Sequence, residues 1–279
     1  MITAVPDVPV RITVVGAAGK FGREIMRRLK PVEGVEIVAA IDLFGAGERC
    51  RDVISHRAPD LVIEDKTGAS LDRLRPDVLV DVSNHGAAAQ HALSAIKRGI
   101  PFVIGASGLS SDDLQEIEFK SREAKVPGIY CPVLSIGAVL MIRFSEMTAR
   151  YLPQVEIIEM QSTQEKMPTG LLSQQTAEMI AKGRREGKHA VNDSETAGKC
   201  EQHCGVKIHA VRLQGLHAHQ RVLFSGRGET FVLQHDSLDY TSYLDGLRLA
   251  IFNVASLDSF VVGLENLMFE EGRRTTVGV

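Results

Sequence analysis

Short apolar runs alternate with amphipathic stretches through the first half of the chain. Residues 11–17 form a β-branched apolar run, and within 19–29 the residues Phe21, Ile25 and Leu29 lie four positions apart. Apolar side chains at that spacing share one helix face, so the pattern predicts a strand, a tight turn and a helix. Further apolar runs of strand length follow at 35–42, 77–83, 101–108 and 128–134. Strands that alternate with helices predict a parallel sheet covered by helices on both faces.

The pattern changes after about residue 134. An apolar helix is expected over 136–152, followed by a strand over 155–161 and an amphipathic helix over 171–186. The polar stretch 183–204 shows no periodicity and predicts a solvated loop. Three strands separated by glycine-containing turns are expected at 206–215, 220–226 and 229–237. These runs are typical of an antiparallel or mixed sheet.

The predicted fold class is α/β, with an N-terminal Rossmann-type parallel sheet domain and a second α+β domain with a mixed sheet. A chain of 279 residues favours two domains. The last helix, at 244–257, is apolar on most sides and is expected to return to the first domain. We therefore expect the first domain to comprise 1–134 and 241–279, and the second to comprise 135–240.

Composition excludes some classes of partner. The chain is 44% hydrophobic and 24% charged, with a formal net charge of −3 and a pI near 6.3. A balance so close to neutral gives no global attraction to nucleic acid or to an anionic membrane, so we expect neither as a partner. No apolar run reaches the roughly 20 residues of a membrane-spanning helix, and the N-terminal sequence lacks the pattern of a secretory signal. We expect a cytoplasmic protein that binds a small molecule.

Cys200 and Cys204, with His203 and His209 nearby, resemble a metal cluster only loosely. Structural zinc sites usually space two cysteines closely and then supply a second pair, which this chain lacks. Ordinary thiols on a polar loop are the preferred interpretation, and no metal is expected.

Three regularly spaced glycines, Gly16, Gly19 and Gly22, lie between the first strand and the first helix. In a dinucleotide-binding turn such glycines permit the tight turn, the approach of backbone to a pyrophosphate, and close packing of the helix. The helix start adds N–H groups and a positive dipole end. A glycine-rich turn without a ligand is the alternative. It fits the context less well, because Asp42 ends the next strand, where an acid bonds the ribose hydroxyls.

Asp42 also bears on the choice of cofactor. A carboxylate repels the 2′-phosphate of NADP(H), and Leu43 rather than an arginine follows it, so NADH is favoured over NADPH. Lys20 and Arg23 flank the glycine loop. They either neutralise a phosphate or are solvated helix charges, and both interpretations stay open.

The order of motifs resembles one family, the 4-hydroxy-tetrahydrodipicolinate reductases, also called dihydrodipicolinate reductases. GAAGKFG resembles the family's GxxGRMG loop, PDVLVDVS its strand ending in DFT, and PFVIGASGLS its GTTG stretch. PVLSIGAVLM is similar to ANFSVGVNVL, and GETFVLQHDS, with Gly228, Glu229 and His235, is similar to GExxEIxH. EMQSTQEKMPTGLLSQQTA takes the place of EAHHxxKxDAPSGTA.

The resemblance implies an NAD(P)H-dependent oxidoreductase of the diaminopimelate-lysine pathway. Such an enzyme passes hydride from the nicotinamide to the carbon of a cyclic imine that carries two carboxylates. The cofactor-binding residues that we expect are Gly16, Ala18, Gly19, Lys20, Phe21, Gly22, Asp42, Ser83, Gly105 and Ser107.

The family's catalytic loop is altered in this chain. In the family, a His and a Lys of the HHxxK stretch are assigned to proton donation and carboxylate recognition. Glu159 matches, but Gln161 and Ser162 replace the two histidines. The lysine falls at Glu165 or Lys166, depending on where a gap is placed.

The far end of the loop keeps more of the family pattern. Thr169 and Gly170 match the Ser-Gly pair that begins a helix and binds a substrate carboxylate, and we expect them, with Ser162, to contact substrate. Elsewhere Gln220 stands in the position of a family histidine, and Tyr240 in that of an arginine.

Gln161 cannot titrate near neutral pH and so cannot replace a histidine as general acid. His217 and His219 are candidate donors, and their spacing along a strand would direct both to one face. Lys166 is the candidate for a charged contact to a carboxylate, with a solvated loop lysine as the alternative. Our expected catalytic residues are therefore Lys166, Gln161 and His219. We interpret His235 as a buried structural histidine.

These departures favour an NAD(P)H-dependent reductase of a cyclic imine or imino acid with an altered substrate. Two alternatives stay open: a genuine 4-hydroxy-tetrahydrodipicolinate reductase, and a non-catalytic NAD(H)-binding or assembly protein. The resemblance also implies a homo-oligomer, a tetramer joined through the sheets of the second domain.

Overall fold

The computed structural model describes residues 6–164, 168–188 and 201–269. The chain divides into two compact units. The first comprises Met1–Leu134 and Tyr243–Val279, and the second, Ser135–Ser242, is inserted into it.

The first unit contains a seven-stranded parallel sheet, whose strands are β1 (Val10–Val15), β2 (Val35–Ile41), β3 (Ile63–Glu64), β4 (Val78–Asp81), β5 (Phe102–Ile104), β6 (Gly128–Tyr130) and β12 (Phe260–Val262). They lie in the order β12-β6-β5-β4-β1-β2-β3. Its helices are α1 (Lys20–Arg28), α2 (Cys50–Val53), α3 (Thr67–Leu74), α4 (His85–Ile96), α5 (Ser111–Ala124), α8 (Leu244–Asn253) and α9 (Glu265–Met268). The predicted Rossmann-type parallel sheet is confirmed.

Central strands of this sheet are buried on both faces, as the continuous apolar runs predict. All four residues of β4 and all three of β5 are buried. The alanines of α4 pack into the same core as Phe102 of β5, and Phe102 stacks on Phe260 of β12 with ring centroids 5.8 Å apart. A Cβ at Gly128 would lie 2.2 Å from the Phe102 ring, so only glycine fits at that point of β6.

The second unit contains a five-stranded mixed sheet, whose strands are β7 (Gln154–Gln161), β8 (Glu201–His203), β9 (Val206–Arg212), β10 (Ala218–Gly226) and β11 (Glu229–Ser237). They lie in the order β11-β10-β7-β9-β8. β7 and β9 are parallel, and the other pairs are antiparallel. Helices α6 (Ile136–Ala149) and α7 (Leu171–Glu186) pack on the face that carries Ile157, Val222 and Phe224. The predicted second domain with a mixed sheet is confirmed.

Helix α7 ends at Glu186, as the amphipathic pattern predicted, and residues 189–200 of the predicted loop lie outside the described residues. The prediction of a loop was wrong at 201–203, where β8 pairs with β9 through a two-residue turn at Cys204 and Gly205. Both turn residues have positive φ, 50° and 72°, as a tight hairpin turn requires. The polar composition of β8 hid the strand, because two of its three residues are exposed.

No helix in the described part of the chain is long and apolar enough to cross a membrane.

Candidate functional site

The glycine loop of the first unit joins β1 to α1 in a turn that only glycine can form. Gly16 has φ +81°, and a Cβ on it would lie 2.7 Å from the backbone N and Cα of Ser83. A Cβ on Gly22 would lie 2.0 Å from the carbonyl oxygen of Gly16. Gly19 is exposed and is the N-cap of α1. The turn is therefore closed on the protein side and open on the solvent side.

Asp42 fixes the glycine loop from the neighbouring strand. Its carboxylate accepts hydrogen bonds from the N–H of Ala18 and the N–H of Phe44, each at 2.9 Å. Every carboxylate oxygen has two lone pairs, so both oxygens retain capacity for a ribose hydroxyl. Of the two cations that flank the loop, Lys20 is exposed. Arg23 instead donates to the carbonyl oxygens of Ala18 and Val53, at 2.8 and 2.7 Å.

The loops after β4 and β5 lie beside this turn. The N–H of Gly105 donates to the carbonyl oxygen of Asp81 at 2.7 Å. A Cβ on Gly105 would lie 2.9 Å from the Leu134 side chain, so this position is also restricted to a small residue. Ser107 is exposed. At the next residue the N–H of Gly108 donates to the hydroxyl of Tyr130, whose pKa is raised by burial.

These groups fit a dinucleotide. The start of α1 has an exposed glycine N-cap and no acid in its first turn, and the first N–H groups of a helix have no intrahelical acceptor. A pyrophosphate placed there meets N–H donors and the positive end of the helix dipole. Loops after β1, β4 and β5 meet at the carboxyl edge of the sheet, where open α/β sheets bind their ligands.

In the second unit, the carboxylate of Glu159 lies at the start of α7. Oε2 accepts the N–H of Gly170 at 2.6 Å and lies 2.5 Å from the hydroxyl of Ser173. Oε1 accepts from the guanidinium of Arg212 at 2.6 Å. Glu159 is 1% exposed. The positive end of the helix dipole, two hydrogen-bond donors and one cation thus stabilise a buried internal carboxylate.

Gln220 extends this polar group across the sheet. It pairs with Glu159 on the adjacent strand and is fully buried. Its amide N–H donates to Thr176 at 2.8 Å, and the Ser173 hydroxyl lies 2.8 Å from its Oε1. That hydroxyl has one hydrogen, so it donates to Glu159 or to Gln220 but not to both at once.

The expected substrate-contacting residues cluster at the end of β7. The amide nitrogen of Gln161 lies 2.3 Å from where a Cβ on Gly170 would be, so the two residues are in direct contact. Gln174 donates to the hydroxyl of Thr169 at 3.1 Å, and Thr169 is buried. Ser162 accepts the N–H of Gln164 at 3.3 Å. Lys166, like Glu165, lies outside the described residues.

His219 is not brought together with Gln161. It lies next to Gln220 on β10, and successive side chains of a strand point to opposite faces. Gln220 faces the helices, so His219 points to the other face, where its Nδ1 lies 2.8 Å from Asp236. His217 precedes the strand and its ring contacts Tyr240, with centroids 4.5 Å apart. The catalytic role of His219 stays a prediction.

His235 faces the helices in the same row as Gln220. Its Nε2 lies 2.9 Å from the hydroxyl of Ser135, and its Nδ1 is buried with no hydrogen-bond partner among the described residues. Burial lowers the pKa of His235. The interpretation as a packed histidine therefore agrees with its contacts.

The two histidines beside the cysteines bind acids rather than one another. His203 lies 3.0 Å from Glu178, and His209 lies 2.8 Å from Glu156. Cys204 is an exposed free thiol, and Cys200 lies outside the described residues. Among the described residues, no group of three or more His, Cys, Asp or Glu side chains could hold a metal ion.

Sequence reasoning missed two polar contacts that the fold assembles. Ser173 and Arg212 converge on Glu159 from α7 and from the end of β9. Asp81 and His91 form a pair between β4 and α4, with 2.6 Å between Oδ2 and Nδ1. A signal for the second pair existed, since Asp81 is an acid within a strand that is otherwise entirely apolar.

A Rossmann-type sheet with an open helix start after β1 and an acid at the end of β2 defines a nicotinamide-dinucleotide-dependent oxidoreductase. The chain belongs to the dihydrodipicolinate reductase family. The family's N-terminal domain model matches residues 10–133, and its C-terminal domain model matches 137–268. The chain is accordingly a dihydrodipicolinate reductase-like enzyme that uses NADH or NADPH to reduce a C=N bond.

Relatives that have the family's name match this chain over nearly their whole length. The chain is 36% identical to the 4-hydroxy-tetrahydrodipicolinate reductase of Syntrophomonas wolfei, over 92% of this chain and 98% of the relative. It is 33% identical to that of Bacillus pumilus, over 93% and 98% of the two chains. Among solved structures it resembles the dipicolinate-bound dihydrodipicolinate reductase of Paenisporosarcina sp. TG-14, with a TM-score of 0.77 and 29% identity over 93% of this chain and 99% of that one.

Proposed function

We propose that this protein reduces a cyclic imine or imino acid that differs from 4-hydroxy-tetrahydrodipicolinate, with NADH preferred over NADPH. The observation that carries the proposal is Gln161, an amide in contact with Gly170 at the position of the first of the family's two loop histidines. The reduced cofactor supplies hydride to the imine carbon. The residues of this chain must then bind the substrate, orient it and manage its charge.

Gln161 can orient a substrate but cannot protonate it. An amide donates and accepts hydrogen bonds and does not titrate near neutral pH. General acid catalysis typically contributes about 10²–10⁴-fold to a rate, so a substrate that needs protonation would be reduced slowly. An imine that binds already protonated, as an iminium, needs no acid from the protein.

Glu159 does not supply the missing proton. Both of its oxygens accept hydrogen bonds from groups of the protein, Oε2 from the N–H of Gly170 and Oε1 from the guanidinium of Arg212. Glu159 is 1% exposed, so these donors enclose its carboxylate and it is not placed to reach a substrate.

The departure that bears on the charge of the substrate is at Tyr240, because Glu159 matches the family pattern and does not distinguish this chain. A substrate with two carboxylates needs further cations, and Tyr240 stands where the family has an arginine. We therefore expect a substrate with one carboxylate or none. Lys166 is the predicted contact for a single carboxylate.

The second candidate is 4-hydroxy-tetrahydrodipicolinate reductase itself. The relative from Syntrophomonas wolfei favours it, because the chain spans 98% of a protein with that name at 36% identity. In that case Gln161 and Ser162 tolerate the original substrate, and proton donation comes from solvent or from another residue.

One experiment separates the candidates. Purified protein is mixed with NADH or NADPH and with either 4-hydroxy-tetrahydrodipicolinate or five- and six-membered cyclic imines with one carboxylate, and oxidation of the cofactor is followed by absorbance. We expect kcat/KM to be at least about 10-fold higher for a monocarboxylate imine, a difference of about 1.4 kcal/mol in transition-state stabilisation. Higher kcat/KM for 4-hydroxy-tetrahydrodipicolinate contradicts the proposal and supports the second candidate. Tight NADH binding without turnover of any imine contradicts both.

Gln161→His provides a matched gain-of-function variant. If the missing acid excludes the family substrate, restoring an imidazole at this position should raise kcat on 4-hydroxy-tetrahydrodipicolinate by about 10-fold or more. Ser162→His, which adds an imidazole one residue later, is the control for position. Equal effects of the two variants would argue against a specific role for residue 161.

A further inference from the structure

Asp81 is a fully buried carboxylate at the end of β4 in the first unit. Its Oδ1 accepts the N–H of Ser83 at 2.8 Å and the Ser83 hydroxyl at 2.6 Å. Its Oδ2 lies 2.6 Å from Nδ1 of His91 on α4. A buried carboxylate is costly unless it is hydrogen-bonded or paired, so each of these contacts contributes to its stability. Ser83 and His91 hold it from two sides.

The residues that Asp81 holds are those that shape the cofactor turn. The backbone of Ser83 lies directly against Gly16, so the position of Ser83 limits how closely the glycine turn can approach the end of β4. The carbonyl oxygen of Asp81 accepts the N–H of Gly105, which begins the loop after β5. Asp81 therefore connects the three loops after β1, β4 and β5.

His91 anchors this connection from the helix side. Its side chain is 22% exposed, and Asp81 is its partner through Nδ1. With Nδ1–H donated to Oδ2, the carboxylate plane is fixed and Oδ1 is directed at Ser83. Without that donor, Oδ2 of the buried carboxylate loses its hydrogen bond, and the orientation of Oδ1 towards Ser83 is no longer fixed.

We propose that His91 is a positioning residue for the reduced dinucleotide: acting through Asp81 and Ser83, it holds the turn at Gly16 in the conformation that binds the cofactor. Contact of His91 with the cofactor is not required. The inference concerns cofactor affinity and is independent of which imine is reduced, so its failure and that of the proposed substrate are distinguishable.

The test compares His91→Asn with His91→Gln in the full-length protein. The amide of asparagine lies near the position of the histidine Nδ1 and can donate to Asp81, whereas that of glutamine lies near the position of Nε2 and cannot. The dissociation constant of NADH is measured by fluorescence titration without substrate. We expect His91→Gln to raise it by about 10-fold, the effect of losing a hydrogen bond to a charged group, and His91→Asn to stay within about 2-fold of the wild type.

Arg98→Gln is the control for general destabilisation in the same region. Arg98 follows α4 and pairs with Asp72, away from the three loops. The Arg98→Gln variant should have a lower thermal midpoint than the wild type and an unchanged dissociation constant for NADH.

Three results would overturn the proposal. The first is wild-type NADH affinity in His91→Gln, and the second is equal weakening in both His91 variants. The third is a lower kcat with unchanged NADH affinity, because that would assign His91 to proton transfer instead of positioning.

Discussion

Helices α1 and α7 begin with the same backbone geometry and opposite electrostatic surroundings. Each has a glycine N-cap in extended conformation, without a side-chain cap and without an acid in the first turn. Gly19 is exposed, whereas Gly170 is buried and donates its N–H to Glu159. Both helix starts attract an anion. In the first unit the glycine loop leaves that position to a ligand, and in the second the chain supplies the anion itself.

A helix start of this kind predicts that an anion binds there. It does not show whether the anion belongs to a ligand or to a side chain of the protein. The sequence around Gly19 and that around Gly170 both predict a ligand-binding helix start. Only the fold brings Glu159, eleven residues before Gly170, back to the start of α7. Three predictions test the contrast and a fourth tests the packing of the second unit, in order from the largest expected effect to the smallest.

The largest effect is expected for Gly16→Ala. The added Cβ would lie 2.7 Å from the backbone of Ser83, at a φ of +81° that strains any other residue. We expect the NADH dissociation constant, measured by fluorescence titration, to rise at least about 100-fold. Gly47→Ala is the matched control, because Gly47 has a φ of +87° but nothing within 4 Å of its Cβ position. Equal losses of affinity in both variants would show that backbone strain alone, and not the contact with Ser83, is responsible.

Glu159→Gln should destabilise the second unit. In the variant an amide NH₂ group replaces one carboxylate oxygen and points at Arg212 or at the N–H of Gly170, both of which are donors. The negative charge that the guanidinium of Arg212 contacts at 2.6 Å is also removed. Because Arg212 is 20% exposed, we expect a cost of about 2 kcal/mol, below that of a fully buried pair, and a fall of roughly 4–8 °C in the thermal midpoint.

Glu156→Gln is the control on the opposite face of β7, since Glu156 is half exposed. It should change the thermal midpoint by less than about 2 °C. Sulfate should stabilise Glu159→Gln more than the wild type, because an external anion can then reach the start of α7. Equal sulfate effects would contradict an anion-binding helix start in the second unit.

Asp42→Asn should narrow the preference for NADH over NADPH. The carboxylate repels a 2′-phosphate, so its replacement removes the repulsion. The amide keeps one of the two oxygens that accept the N–H groups of Ala18 and Phe44, so both cofactors should bind somewhat more weakly while their ratio changes. We expect the ratio of the two dissociation constants to change by about 10-fold towards NADPH. A wild type that binds NADPH as tightly as NADH would remove the basis of this prediction.

The smallest effect concerns the pH dependence of stability. Burial is the main cause that lowers the pKa of His235 in the folded protein, with the charge of His219 acting in the same direction and that of Asp236 against it. The unfolded chain therefore binds more protons than the folded one as pH falls below about 6.5. Stability should be full above about pH 6.5 and decline as pH falls towards the pKa of the folded state.

His235→Gln should lose less stability than the wild type over that range, by up to about 1 kcal/mol, as measured by the thermal midpoint at pH 7.5 and pH 5.5. His209→Gln is the control, because His209 is partly exposed and paired with Glu156. Parallel pH profiles of His235→Gln and wild type would contradict the prediction.

Much of the fold could be predicted because its signals are local. Apolar runs of strand length and the glycines at 16, 19 and 22 placed the parallel sheet and its first turn. β3, β8 and β12 were missed, since β3 has two residues, β8 is largely polar and β12 has only three residues. Helix α5 carries a local signal that was not used, a capping box between Ser110 and Asp113.

The site was predicted less completely because its polar groups come from distant parts of the chain. Glu159, Ser173 and Arg212 converge on one point from three elements, and no local spacing reveals this. The strand was predicted to begin at residue 220, whereas β10 begins at Ala218, so His219 lies within it and alternates with Gln220. Packing of the core decides which face of β10 meets the helices. It places His219 on the face of the sheet opposite Gln220 and away from Gln161.

The edge strand β12 has a consequence for how the chain folds during synthesis. β12 follows the second unit in the chain, but it pairs with β6, which the ribosome synthesises before the second unit. Phe260 of β12 stacks on Phe102 in the core of the first unit. The sheet of the first unit therefore cannot be completed on the ribosome until the second unit has emerged. Contacts over such sequence separations form late. A nascent chain paused after residue 242 would thus expose β6 as an unpaired edge, which a chaperone or another copy of the chain can bind.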